Sequence, residues 1–589
     1  MSSIPPDQRL ADVRHNLSVQ GVDGFVLPRG DEFLGEYVAP YAERLAWLTG
    51  FTGSAGLALV LPDKAAVFSD GRYTEQLAEQ VDKALWEKRH ITQEPPSAWL
   101  SANARDLRIG YDPRLIGESG LQALQGDGYE FVALTDNPVD IAWSDRPAPP
   151  ASTVQFHPER LSGERSADKR ARIAALLKEN GEQALIVGDP TCLAWLLNIR
   201  ADDVPNTPVA LAFGILHDTG DAEIFIDETR LSDAAKADFG AHVTVYPADS
   251  LEDRLRGLAG RRVRLDPQGV SAWFVQTLND AGSSISRGAD PSVLLKASKN
   301  VVEQEGARQA HLTDSAALCR FLHFVTLHGV GLRETELAER LDRFRAEDAD
   351  YRGESFPAIS GVGPNAALPH YRALPGKDRV LGPDTIYLID SGGQYPAGTT
   401  DVTRTIWTGP ELPPSAISEA FTRVLKGNIA LSRARFPNGV TGHRLDVLAR
   451  QYLWQAGLDY DHGTGHGIGS YLSVHEGPQN ISAVARPVAL QAGMIISNEP
   501  GYYEAGQYGI RLENLLLVRP ASVGQSGRFL EFEVLGFAPF DRQLIDASLL
   551  LPDERAWLDS YHTETLRRIG PLLDPDTRAW LTTACAPLN

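Results

Sequence analysis

The 589-residue sequence holds only three cysteines, Cys192, Cys319 and Cys585. They are too few and too scattered to staple a secreted fold, and they fit a reducing, cytoplasmic setting. No apolar run approaches the ~18 residues that a membrane span needs. The opening Met1-Ser-Ser-Ile-Pro-Pro-Asp7 lacks a basic start followed by an apolar core, so no secretion signal is expected. Basic runs are missing as well. With 56 Lys and Arg against 77 Asp and Glu the formal net charge is −21, which makes nucleic acid and anionic membranes poor partners.

A chain of this length is too long for one core. Residues 7–20 read as a helix, followed by Gly21, a strand at Phe25-Val26-Leu27, Trp47, a strand at 57–61 and Asp70-Gly-Arg-Tyr73, a turn closed by local hydrogen bonds. The same order recurs as a charged helix at 167–180, Gly181, a strand at 184–187 and Trp195. Two related small α/β domains are therefore expected, at 1–150 and 151–292. The proline-dense Arg146–Ser152 marks the first linker, and Ser286–Pro291 the second boundary.

The third segment, 293–589, opens with helices. Leu337, Leu341 and Phe344 recur at helical spacing. Ser415 can cap a helix carrying Ile417, Phe421, Val424 and Leu425 on one side, and Leu445, Leu448 and Tyr452 mark another helix stopped by Gly457. Between and after them lie strands, which gives an α+β arrangement.

Those strands carry the chemistry. The apolar run Ile386–Ile389 ends on Asp390, and a hairpin containing Pro396 and Gly398 leads to Asp401 in Asp401-Val-Thr-Arg-Thr-Ile-Trp407, so two carboxylates meet. Desolvated beside each other they must bind a proton or a cation. His462-Gly-Thr-Gly-His466-Gly-Ile-Gly469, with glycine at every second place, reads as extended backbone open to close approach. Met494–Asn498 is an apolar strand ending on Glu499, and Gly509–Asn514 reads as another strand, with Arg511 and Glu513 on one face.

One at a time these residues would pass as turn carboxylates, loop histidines or a surface ion pair. Together, Asp390, Asp401, Glu499 and Glu513 with His466 form an inner shell for two divalent cations, about −4 of charge against about +4. Oxygen-rich ligation with a single imidazole favours manganese, with cobalt and zinc as alternatives.

These motifs, with His475-Glu-Gly-Pro478, Glu499-Pro-Gly-Tyr-Tyr503 and Gly509-Ile-Arg-Leu-Glu-Asn514, resemble the pita-bread metallopeptidases. Among them the wording and order are most similar to the three-domain Xaa-Pro aminopeptidases, over the whole chain. The resemblance implies a pita-bread catalytic domain at 293–589 with a C-terminal helical extension, and a homodimer. It also implies two metals held by Asp390, Asp401, His466, Glu499 and Glu513, with a hydroxide bridging them. Glu499 would then be the general base. His370, His462 and His475 would be catalytic and substrate-binding histidines, and Arg511 would orient a ligating carboxylate. The implied activity is removal of an N-terminal residue that precedes proline in short peptides. Alternatives are a prolidase acting on Xaa-Pro dipeptides and a pita-bread binding module without metals.

Overall fold

The run Gly24–Pro28 becomes the central strand β1 of a six-stranded sheet in a computed structural model that describes residues 4–522 and 527–588. On one side lie β2 (Leu57–Val60), β3 (Ala65–Ser69) and β4 (Glu87–His90); on the other lie β5 (Leu107–Tyr111) and β6 (Tyr129–Ala133). The order is β4-β3-β2-β1-β5-β6. The steps β1–β2 and β2–β3 are antiparallel and the other three are parallel.

A second sheet repeats this plan with β7 (Ala184–Val187), β8 (Phe213–His217), β9 (Ala222–Phe225), β10 (Val243–Tyr246), β11 (Arg262–Leu265) and β12 (Ser284–Arg287). Its order is β10-β9-β8-β7-β11-β12, with parallel and antiparallel steps in the same places. The duplication expected from sequence is thus a duplication of topology. The leading helices are Pro6–Val19 and Ser166–Glu179, and Trp47 and Trp195 sit in the short helices Arg44–Thr49 and Pro190–Leu196. Their surroundings have diverged: Trp47 stacks on Trp143, whereas Trp195 lies under the Lys169 ammonium, 4.5 Å from its ring centre. Asp70 closes its turn as expected, accepting from the Arg72 backbone N–H at 3.0 Å.

Both sheets belong to one compact unit, Met1–His157 with Glu164–Ser292; the other comprises Pro158–Gly163 with Val293–Asn589. In the latter, Asn300 starts the long helix Val301–His328 with a reciprocal capping box to Glu303. The helix Glu334–Arg345 buries Leu337 and Leu341. A three-stranded sheet follows, in the order β13 (Ile359–Val362), β14 (Thr385–Ser391), β15 (Val402–Thr408). A six-stranded sheet comprises β16 (Arg435–Pro437), β17 (Gly465–Gly467), β18 (Glu476–Ile481), β19 (Ile495–Asn498), β22 (Asn514–Pro520) and β23 (Phe529–Val534), ordered β16-β23-β22-β19-β17-β18. Between them in sequence, β20 (Gly501–Glu504) and β21 (Tyr508–Arg511) form a separate ribbon.

Two local expectations are corrected. Gly509–Asn514 is not one strand: the chain leaves the ribbon after Arg511 and joins the six-stranded sheet at Asn514, because the two halves pair with different partners. Ser415 does not cap its helix. The extended backbone of Pro414 precedes Ser415–Ser432, so Ser415 is already inside the first turn. Phe421, Val424 and Leu425 are fully buried on the expected stripe. The C-terminal helices Pro552–Ile569 and Pro575–Ala584 send Leu558, Tyr561 and Leu581 into the same core as Phe321 and Tyr387. All three cysteines are buried and none is in a disulfide. Among the described residues no helix is long and apolar enough to cross a membrane.

At the start of β18, Glu476 is buried between two buried lysines, Lys296 at 2.9 Å and Lys299 at 2.5 Å. Neutralising the shared carboxylate would leave two ammonium groups in the interior without their counter-charge. Glu476→Gln is therefore expected to destabilise this unit by about 3–5 kcal/mol, read from urea unfolding at neutral pH. A loss under about 1 kcal/mol would mean that water reaches the cluster.

Candidate metal centre

The five residues expected to bind metal come from both sheets of the second unit. Asp390 is the penultimate residue of β14, and Asp401 stands immediately before β15. His466 is the middle of β17, Glu499 directly follows β19 and Glu513 directly precedes β22. Register brings them together: Asp390 faces Thr403 across the β14–β15 ladder, and the Glu513 N–H donates to the Thr403 carbonyl at 3.1 Å. Glycine at 465 and 467 is a steric necessity. A Cβ at Gly465 would lie 2.0 Å from the Ser497 carbonyl oxygen, and one at Gly467 would lie 2.1 Å from that of Glu476. What approaches this stretch so closely is the pair of flanking strands.

Among the described residues, three of the four carboxylates share one feature, a buried oxygen with no partner. In Asp390, Oδ2 accepts from the Arg511 guanidinium at 2.6 Å while Oδ1 is buried with no partner. In Asp401, Oδ2 lies 3.5 Å from His466 Nε2 and Oδ1 is likewise buried and alone. In Glu513, Oε2 accepts from Thr403 Oγ1 at 2.7 Å and Oε1 is orphaned. Glu499 Oε1 is 3.5 Å from His466 Nε2 and accepts from Ser497 Oγ at 3.3 Å. Ligand atoms of Asp401, His466 and Glu513 all lie within 4.8 Å of one another. Buried polar atoms without partners are rare, and orphaned carboxylate oxygens beside an imidazole fit hard divalent cations.

The electrostatics agree. Burial, and then the nearby Asp401 charge, raise the Asp390 carboxyl above its ordinary range against the pull of Arg511. Burial and the charges of Asp401, Glu499 and Asp390 raise Glu513 well above its usual value. Glu499 is pushed up to about 7, chiefly by burial, which outweighs the opposing charges of His466 and Arg511. Burial works against the His466 imidazolium, but Asp401 and Glu499 more than offset it and raise the group to about 9. Without cations the site stores protons.

The other expected residues surround this cluster. The His475 ring meets His466 edge to face, with centroids 4.4 Å apart. His462 donates Nδ1–H to the Gly463 carbonyl at 2.7 Å, which leaves Nε2 to accept from Tyr503 OH at 2.8 Å. Burial, with Arg511 nearby, lowers His462 to about 3, so the ring is neutral. Arg511 joins these groups, donating to Tyr503 OH at 2.6 Å and to the Pro369 carbonyl at 3.2 Å as well as to Asp390. Pro369 ties the half-buried His370 and its loop to the same guanidinium.

Sequence reasoning missed several supports. Thr403 lies inside the Asp401 motif and is the hydroxyl that holds Glu513. Tyr503, also within a motif, links Arg511 to His462. Asn428 on the helix Ser415–Ser432 donates at 3.0 Å to the carbonyls of both Asn498 and Leu512, the residues just before the two glutamates. Its signal was legible, since Asn428 continues the Phe421, Val424, Leu425 stripe with a fully buried amide. Thr464 donates to Asp446 at 2.5 Å, and Arg450 clamps the other Asp446 oxygen at 2.7 Å, pinning the glycine-rich segment to the helix His443–Trp454.

Cation binding must displace the stored protons. Raised carboxyls hold their protons up to a higher pH, so affinity is expected to fall as pH drops through about 7, where Glu499 reprotonates. Titrating a divalent cation into metal-free protein in weak buffer should give net acid release. No release would contradict the protonated cluster.

Residues 305–520 match the profile of metallopeptidase family M24, and residues 528–588 match the C-terminal region of peptidase M24. Residues 9–139 and 145–303 each match a creatinase/prolidase N-terminal domain. A probable Xaa-Pro aminopeptidase P of Laccaria bicolor is 39% identical over 99% of this chain and 93% of its own length. The similarly described protein of Neosartorya fischeri is 38% identical over 96% of this chain and 90% of its own. The crystal structure of X-prolyl aminopeptidase from Caenorhabditis elegans, described as a cytosolic enzyme with a di-nuclear active site, superposes with a TM-score of 0.93. It is 33% identical and covers 99% of this chain and 100% of its own. With full-length relatives at these identities, the chain belongs to metallopeptidase family M24, in its Xaa-Pro aminopeptidase branch.

Proposed function

We propose that this chain is a metal-dependent aminopeptidase that removes the first residue of short peptides carrying proline in second place. The observation that carries the reading is the set of orphaned oxygens on Asp390, Asp401 and Glu513 beside His466. The names of the full-length relatives give the same activity. Asp390, Asp401, His466, Glu499 and Glu513 would hold two divalent cations, manganese first among them by donor chemistry, with zinc or cobalt as alternatives. When bound, such a pair lowers the pKa of a shared water and polarises the carbonyl of the bond to be cut.

The chain's own groups handle the protons and the peptide. Glu499 is assigned to take a proton at its carboxylate and release it to the departing amine. His370 is assigned to the scissile carbonyl or leaving amine, and His475 and His462 to holding the peptide. His462 is neutral and oriented by Gly463 and Tyr503, so it offers a positioned dipole rather than a charge. Arg511 keeps one Asp390 oxygen turned outward and the other inward. Preference for proline is taken from the resemblance to the Xaa-Pro aminopeptidases, and its physical basis would be that a tertiary amide has no N–H, so a site shaped to the pyrrolidine ring would leave a secondary amide with an unmatched donor. The proposed division is three domains, 1–150, 151–292 and 293–589, working in the cytosol as stated for the C. elegans enzyme.

Mass analysis of one incubation holding an Xaa-Pro-Xaa tripeptide, an Xaa-Pro dipeptide and an Xaa-Ala-Xaa control tests the reading, with manganese and with chelator. Metal-dependent release of the first residue from the proline tripeptide alone is expected, and Glu499→Gln should lower it about 10²–10⁴-fold. Cleavage of the dipeptide alone would make the chain a prolidase. No cleavage despite bound metal would make it a binding module.

A further inference from the structure

Arg404 is fully buried in the middle of β15, yet among the described residues no carboxylate accepts from its guanidinium. Its donors go to neutral oxygens: the carbonyls of Thr403 at 2.8 Å, Glu513 at 2.5 Å, Ala538 at 2.8 Å and Pro539 at 3.2 Å, the Asn514 side chain at 2.8 Å, and Tyr561 OH at 2.9 Å. The Phe540 ring lies against it, 4.5 Å away. Burying a cation without a counter-ion is costly, and an apolar side chain of similar size would pack the same space more cheaply. What only a rigid fork of donors can do here is fix several oxygens relative to one another.

One of those oxygens belongs to Glu513, at the point where the chain changes sheets. The ladder of β22 begins one residue later, so Glu513 needs another restraint. Its N–H donates to the Thr403 carbonyl, its carboxylate accepts from Thr403 Oγ1, and its own carbonyl accepts from Arg404. Two consecutive residues of β15 thus hold Glu513 on both sides, and the same strand follows directly from Asp401. Tyr561, on the C-terminal helix Pro552–Ile569, braces the far side of the fork. Its ring is stacked between Trp557 and Phe537, and its oxygen also meets the Ala538 carbonyl at 2.9 Å.

We propose that Arg404 and Tyr561 are positioning residues for Glu513, so that the C-terminal helical region forms part of the scaffold that sets metal affinity. The inference rests on the assignment of Glu513 as a metal ligand. Loss of partners behind a ligand typically weakens metal binding 10–100-fold, because the ligand must then be ordered at the moment of binding. Tyr561→Phe removes one oxygen and keeps the ring in its stack.

Calorimetric titration of manganese into metal-free protein tests this, with thermal unfolding of the same metal-free samples. Tyr561→Phe should weaken manganese binding about 10-fold, while the metal-free protein unfolds within about 4 °C of the parent. Arg404→Lys keeps the charge and loses the fork, so it should weaken binding further; if it does not fold, Tyr561→Phe carries the test alone. Parental affinity in Tyr561→Phe, whatever its unfolding temperature, overturns the proposal. Glu513→Gln serves as the reference. If it leaves the titration unchanged, the ligand assignment itself has failed and the inference falls with it; if it weakens binding while Tyr561→Phe does not, only the inference has failed.

Discussion

Three buried carboxylates and the half-buried Glu499, gathered around one imidazole, repel one another, and the catalytic unit is built to hold them there. Two like unit charges about 4 Å apart in an effective dielectric near 20 repel by roughly 4 kcal/mol. Asp390 and Glu513 each give one oxygen to a protein donor, Asp401 keeps one oxygen 3.5 Å from His466 Nε2, and in all three the other oxygen is buried with no partner among the described residues. Such an arrangement is stable only with protons or cations inside. The raised Glu499, Glu513 and Asp390 carboxyls and the raised His466 imidazole express the first alternative, and two divalent ions would supply the second.

Holding the cluster is a backbone problem as much as a side-chain one. Four of the five residues lie at a strand's last or next-to-last position or just outside its ends, where ladder hydrogen bonds run out, and separate devices take over. Asn428 bridges the carbonyls that precede Glu499 and Glu513. Thr403 and Arg404 hold Glu513 from β15, and Asp446 with Arg450 holds the segment before His466. Arg511 then spans from Asp390 to Tyr503 and on to the Pro369 carbonyl, so the His370 loop is tied to the same guanidinium that orients an acid.

Much of this was legible in the sequence, for identifiable reasons. Apolar runs stopping on an acid gave the strands under Asp390 and Glu499, and alternate glycines gave an extended segment at His466. The order of helix, glycine, strand and tryptophan revealed the repeated α/β plan. The break between Arg511 and Asn514 was not legible, because an apolar–polar alternation does not say which sheet a strand joins. Ser415 looked like a cap because serine favours that place, but Pro414 takes it. Asn428 and Tyr561 are long-range partners of the site, and local periodicity assigns such residues only to a buried face.

The central claim is that five side chains from two sheets enclose a pair of cations. Anomalous diffraction at the manganese edge, from crystals grown with manganese, tests it most directly. Two peaks roughly 3.5–4 Å apart should appear among Asp390, Asp401, His466, Glu499 and Glu513, with the partnerless oxygens of Asp390, Asp401 and Glu513 in contact with them. No peak there, or a lone ion held by other residues, would contradict the account.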